Sequence, residues 1–160
     1  VGGGGGGSSG TVWEVGAYVV WRGGEGSDTA DRRARIEAAG EAIHGYETAL
    51  TRALIHGTGN LPGLADMAHV SVLAGADNPA REGLVSIVVE DTPSEKVVED
   101  LNAQGIRTHV RKADHYSGNV LTPLGLNDCV RISLCHYNTE AEVAQLLGAV
   151  KAMEPGAAAG

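Results

Sequence analysis

The chain reads as an α/β protein of the α+β kind: a small, mixed or mainly antiparallel four-stranded sheet with helices on one face, in the order α-β-β-α-β-β-α. Three observations point there. Short runs rich in β-branched residues occur at 70–75 (VSVLAG), 84–90 (LVSIVVE), 106–111 (IRTHVR) and 129–135 (CVRISLC), among Gly, Pro, Asn and Asp. Stretches with apolar residues at spacings of three and four lie around and between them. The strands come in pairs separated by helical segments, which suits helices layered on one side of a sheet. At 160 residues there is length for one core and not two.

The elements follow in order. Residues 1–27 begin VGGGGGGSSG, hold 11 of the 24 glycines and both tryptophans, and read as a flexible Gly-rich segment. Their GxGxxG is trivial, since no strand precedes it and no helix opens from it. A domain is expected over 28–155 and a short Ala/Gly tail over 156–160. Ile36, Ala39, Ile43, Tyr46, Leu50 and Ala53 form one stripe of an amphipathic helix. Asp28 or Thr29 can cap it and Gly57 and Gly59 can end it. After the first two strands, Thr92, Pro93 and Glu95 read as a capped helix start, with Val97, Val98 and Leu101 on its buried face and Gly105 at its end. Thr139 and Glu142 form a second capping box before Val143, Leu146, Leu147 and Val150.

Charge and composition remove some functions. A net charge of −8 gives no general attraction for polyphosphate, and two Trp, four Tyr and no Phe give no stacking platform, so nucleic acid is not an expected partner. No apolar run approaches the length of about 18 residues that reads as a membrane span. Cys129 and Cys135, six apart on a strand, would stand about 20 Å apart at 3.3 Å per residue and cannot bridge. With no export signal at the start, a cytoplasmic location is the expectation.

Strand parity then suggests a site. Val130, Ile132 and Leu134 share one face of the fourth strand, leaving Cys129, Arg131, Ser133 and Cys135 on the other. In the third strand Ile106, Thr108 and Val110 go with the helices, leaving Arg107, His109 and Arg111 opposite. If these strands are neighbours, an acidic chain presents four cation-capable groups on its open sheet face, the chemistry that carboxylate or phosphate recognition requires. The same residues also suit an ordinary solvated strand face that discourages aggregation.

Other constellations are weaker. His109, Asp114, His115, Cys129, Cys135 and His136 are good metal ligands, but none shows a close zinc spacing, and no metal is expected. His44 and His56 lie off the apolar stripe of the first helix. Asp114, His115 and Ser117 are adjacent in one loop, which does not confer the geometry of a nucleophilic triad.

The run GIRTHVRKADHYSGNVLTPLGLNDCVRISLCHYNTEAEVAQLLGAV, and VRISLCHYNTEAEV most of all, resembles the end of class V aminotransferase-fold enzymes, a pyridoxal-phosphate group that includes cysteine desulfurases and isopenicillin-N-epimerase-like proteins. The likeness extends over about 31–153, and the small domain of that family has the same helix and strand order. It implies that Arg131 holds a substrate carboxylate, and that the loop from His115 through Tyr116 and Ser117 to Asn119 lies over the cofactor. It also places Tyr116 where desulfurases carry their nucleophilic Cys, so persulfide chemistry, which needs a thiolate, is not expected.

In that family pyridoxal phosphate is bound in a large N-terminal domain through a Schiff-base Lys that follows a His. Lys96, Lys112 and Lys151 are the lysines here and none follows His. The segment EVGA at 14–17 is similar to a Glu-x-Gly-Thr segment of the family but lacks its Thr. The expectation is therefore a small C-terminal domain without the large one, silent as a catalyst alone and with no cofactor covalently bound to it. Its partners would be an amino acid as the small-molecule substrate of the full enzyme, and a large pyridoxal-phosphate domain or a second copy. The alternatives are a free-standing module that binds a small anion or a protein on the Arg107, His109, Arg111 and Arg131 face, and a structural domain whose sheet pairs with itself.

Overall fold

The computed structural model describes residues 29–155; the Gly-rich stretch over 1–27, the Asp28 cap and the tail at 156–160 lie outside the described residues. Helix α1 (Thr29–His56) carries its apolar spacing into the core through Ala39, Tyr46, Leu50 and Leu54. Ile36 departs from the expected stripe and is 53% exposed. A helix of 28 residues is about 42 Å long at 1.5 Å per residue, and its first turns run beyond the layer that the core covers. Gly57 and Gly59, at φ +98° and +58°, end α1 and turn the chain into a hairpin, β1 (Gly57–Thr58) with β2 (Leu61–Pro62). Strands of two residues carry no alternation, so the sequence pattern does not reveal them.

The main sheet is antiparallel throughout. Its strands β3 (Val70–Val72), β4 (Leu84–Val89), β5 (His109–Lys112) and β6 (Asp128–Ser133) stand in the order β3-β4-β6-β5. On β4, Val85, Ile87 and Val89 are buried, and on β6 Val130 and Ile132 are, all towards one core; each such side chain contributes roughly 1.5–3 kcal/mol. Against that core lie α1, α2 (Ser94–Ala103) through Val97 and Leu101, and α4 (Glu140–Lys151) through Val143, Leu147 and Val150. The opposite face is covered in part by a short helix, α3 (Gly118–Leu121), and the 3-10 turn Thr122–Leu124 that follows it.

Two local expectations are corrected. Thr92 does not cap α2: its N–H donates to the Val89 carbonyl at 3.3 Å in a tight turn, made possible by Asp91 at φ +54°, and the helix starts at Ser94 behind Pro93 with no side-chain cap. The third strand begins at His109 and not at Ile106, because the chain before it is held by the end of α2. There Gly105, at φ +79°, lets its own N–H reach the Asn102 carbonyl and the Ile106 N–H reach that of Leu101.

The Thr139 and Glu142 box does form: Thr139 Oγ1 accepts from the Glu142 N–H at 3.3 Å, and Glu142 Oε2 accepts from the Thr139 N–H at 2.7 Å. The turn before it is tied to α1. Tyr46 donates its hydroxyl to the Asn138 carbonyl at 2.9 Å, and Glu47 Oε1 accepts the His136 N–H at 2.9 Å. The exit of β6 is thereby fixed against the longest helix.

Candidate functional site

Pairing on the sheet places the charged side chains. Arg131, near the middle of β6, stands opposite Ser86 on β4 and His109 on β5, while Arg111 stands opposite Cys129 two residues along the same pair. The sheet residues Ser86, Cys129, Arg131 and Arg111 face away from the helices into a cavity of about 810 Å³. Its far wall is the loop between β5 and β6, through Tyr116, Ser117, Asn119, Val120 and Leu121. Arg81 and Leu73, from the connection between β3 and β4, close one end. Among the described residues no Asp or Glu lines it.

The arginines are held differently. Arg131 is half-buried, and its Nε is screened from solvent with no hydrogen-bond partner among the described residues. A guanidinium in that position is a ready donor for an incoming carboxylate. Arg81 is clamped: its terminal nitrogens donate to the carbonyls of Leu73 and Gly75 at 2.7 Å each and of Leu84 at 3.2 Å. Its Nε is also buried without a partner among the described residues, and burial pulls its pKa down from the usual arginine value. Arg111 is exposed. The Cys129 thiol, 3% exposed beneath the cavity, is pushed up in pKa by burial against the opposing effect of a bond from Ser86, so it is no ready thiolate.

The loop takes its shape from Asp114. Its Oδ1 accepts the N–H groups of Tyr116 and Ser117, both at 2.9 Å, which makes the carboxylate a turn anchor and not the acid of a triad with His115 and Ser117. The Ser117 and Tyr116 donors hold the Asp114 carboxyl below the usual carboxylate range. A depressed folded value means that the anchor is fully in place above the unfolded carboxylate pKa, about 3.9, and is lost as pH falls through the lower folded value. An NMR titration should show the Asp114 carboxyl titrating below that reference, with the Tyr116 and Ser117 amide shifts following it. A midpoint at the ordinary value would contradict the anchor.

The candidate residues are therefore sorted by the structure. Arg111, Arg131, Tyr116, Ser117 and Asn119 meet around one cavity. His115 does not line it, and packs its ring on that of Tyr116 at a centroid distance of 4.1 Å. Arg107 and His109 line a separate space of about 380 Å³, where the chain before β5 diverges from β6 and α4; Arg131 borders both spaces. His109, Arg111 and Arg131 thus stand on one face of the paired strands, Arg111 and Arg131 bordering the larger space and His109 and Arg131 the smaller, while Arg107 lies before β5. The sequence reading overlooked Arg81, whose place depends on carbonyls gathered by strand pairing. Its one visible signal is an Arg in the strand connection ADNPAREG.

No lysine reaches the cavity. Lys112 pairs with Glu95 at 2.7 Å and Lys96 with Asp100 at 2.6 Å, and Lys151 ends α4 in an exposed position. Cys129 and Cys135 are both free thiols. Among the described residues no helix is long and apolar enough to cross a membrane.

Comparison with known proteins agrees with this architecture. The family model of aminotransferase class V matches residues 36–146. A cysteine desulfurase of Synechococcus elongatus is 34% identical over 122 residues, 74% of this chain and 17% of that protein. A probable cysteine desulfurase of Treponema pallidum is 30% identical over 118 residues, 72% of this chain and 28% of that protein. Among solved structures, the apo cysteine desulfurase of Thermococcus onnurineus NA1 superposes with a TM-score of 0.61 at 25% identity, over 75% of this chain and 28% of that one. A cysteine desulfurase of Escherichia coli shares the fold at 18% identity and a TM-score of 0.54, over 79% of this chain and 31% of that one. The chain spans less than a third of the length of each of these relatives. On the extent of the family match, the chain belongs to the aminotransferase class V family, whose cysteine desulfurases depend on pyridoxal phosphate.

Proposed function

We propose that this chain is the C-terminal small-domain part of a class V pyridoxal-phosphate enzyme that acts on an amino acid, and that it supplies the substrate's carboxylate site. The observation that carries the reading is the buried Nε of Arg131, without a partner among the described residues, on a cavity wall to which no described acidic residue contributes. In that reading Arg131 takes the carboxylate as a charge-assisted pair, and the loop at 115–119 forms the wall across from it. His115 acts there through Tyr116, by stacking, and not by touching the ligand.

The residues of this chain do not fit covalent attachment of pyridoxal phosphate. Its three lysines lie on exposed positions outside the cavity, so the Schiff-base lysine belongs to other residues of the working enzyme. Tyr116, 79% exposed, stands in the loop where the family resemblance expects the desulfurase thiol, and a phenol supplies no persulfide sulfur. The chain alone is accordingly a binding unit, and the reaction is one other than sulfur transfer through that loop.

The test is calorimetric titration of the chain with propionate. Saturable binding at one site is expected, weakened at least about tenfold in Arg131→Gln, since a charge-assisted bond contributes roughly 1.5–3 kcal/mol. Equal affinity in parent and variant would defeat the assignment.

A further inference from the structure

A single carboxylate leaves most of this cavity unexplained. At about 810 Å³ it is far larger than one carboxylate occupies, and its wall carries Arg81, Arg111 and Arg131 with no acidic side chain among the described residues that line it. Two of the three, Arg81 and Arg131, have a buried Nε with no partner among the described residues. Three guanidinium groups bordering one space repel one another; Asp114, outside the lining, interacts with Arg111, and a ligand with one negative charge offsets only part of the remaining repulsion.

The positions are also specific. Arg111 stands opposite Cys129, and Arg131 follows Cys129 by two residues on the same face of β6. Diagonal neighbours of that kind on an antiparallel pair lie about 7–8 Å apart at the backbone, within the joint reach of two long side chains. Arg111 makes no hydrogen bond and no ion pair within 4 Å with a described residue; Asp114 and Cys129 interact with its charge at longer range, which leaves its donors open to a ligand. Arg81, fixed by the carbonyls of Leu73, Gly75 and Leu84, adds an immovable positive charge at one end.

The geometry points to a di-acid ligand: an amino acid whose side chain ends in a second carboxylate, held by Arg131 at one carboxylate and by Arg111 at the other. This rests on the carboxylate site proposed above and names the substrate class of that same site.

The experiment is a calorimetric series on the full chain at constant ionic strength, with propionate, butyrate and valerate against malonate, succinate, glutarate and adipate. One di-acid is expected to bind at least about tenfold more tightly than the mono-acid of equal carbon number, with weaker binding of the di-acids shorter and longer than it. In Arg111→Gln, a change at an exposed side chain that makes no internal bond, that preference should fall to within about threefold. The inference is overturned if no di-acid is preferred, if all lengths are preferred equally as diffuse charge attraction would give, or if Arg111→Gln retains the preference. Mono-acid binding that needs Arg131, without a di-acid preference, leaves the carboxylate site standing and the di-acid ligand refuted. No binding of either kind refutes both.

Discussion

Leu54→Ala is expected to destabilise the fold by about 2–5 kcal/mol, a large share of the roughly 5–15 kcal/mol that holds a domain of this size. Leu54 lies in the last turns of α1, is 0% exposed, and belongs to the core that joins α1, the sheet and α4. Truncation removes apolar contacts and leaves a void that the surrounding strands cannot follow, because Val85, Ile87 and Val130 are themselves fixed by backbone pairing. In urea the midpoint should fall by about 1 M or more with an unchanged slope. A shift within error of zero would mean that α1 does not seal this core.

Gly63→Ala is the second large effect. Gly63 closes the β1–β2 hairpin against the end of α1, and a Cβ placed on it would collide with the Ile55 carbonyl, the Gly57 nitrogen and the His56 carbonyl carbon. All three are main-chain atoms, so no side chain can swing aside. The expected cost is at least about 3 kcal/mol, the upper end for overpacking, seen as a lower melting temperature and loss of hairpin amide protection. Gly45→Ala provides the opposite sign. It lies within α1 with open space around its would-be Cβ, so the helix should gain about 0.5–1 kcal/mol. If both substitutions destabilised alike, the close approach at Gly63 would not be the cause.

What could be read from the sequence was what is local or strictly periodic. The alternation along β6 separates Val130 and Ile132 from Arg131 and Ser133, and the structure turns those pairs to opposite faces. The Thr139 box and the Val143 to Val150 stripe involve only residues within a few positions of one another. Thr92 fails as a cap although its pattern is equally good, since the Asp91 turn commits its backbone to Val89 first. α3 spans four residues, too few to show a period, and so the wall it forms across from Arg131 was not visible as structure. Arg81 is the extreme case. Its partners, Leu73, Gly75 and Leu84, are brought together by the pairing of β3 with β4, and no spacing along the chain announces that.

The candidate site divides in the same way. Arg111 and Arg131 could be placed on one face by parity because both sit within paired strands. Arg107 could not, because it lies in the stretch after α2 that is not strand at all. Family likeness singled out Tyr116, Ser117 and Asn119 within the loop, and the Asp114 turn is the physical reason that they face the sheet.

The most direct test of the central claim, that Arg131 is a carboxylate receptor, is the NMR signal of its own Nε–H. In the free chain this proton has no acceptor among the described residues. Addition of propionate should move the Arg131 Nε–H resonance downfield and slow its exchange with water, with little change at the clamped Arg81, and the signal should be absent in Arg131→Gln. An Arg131 Nε–H that is unmoved at saturating carboxylate would contradict the account.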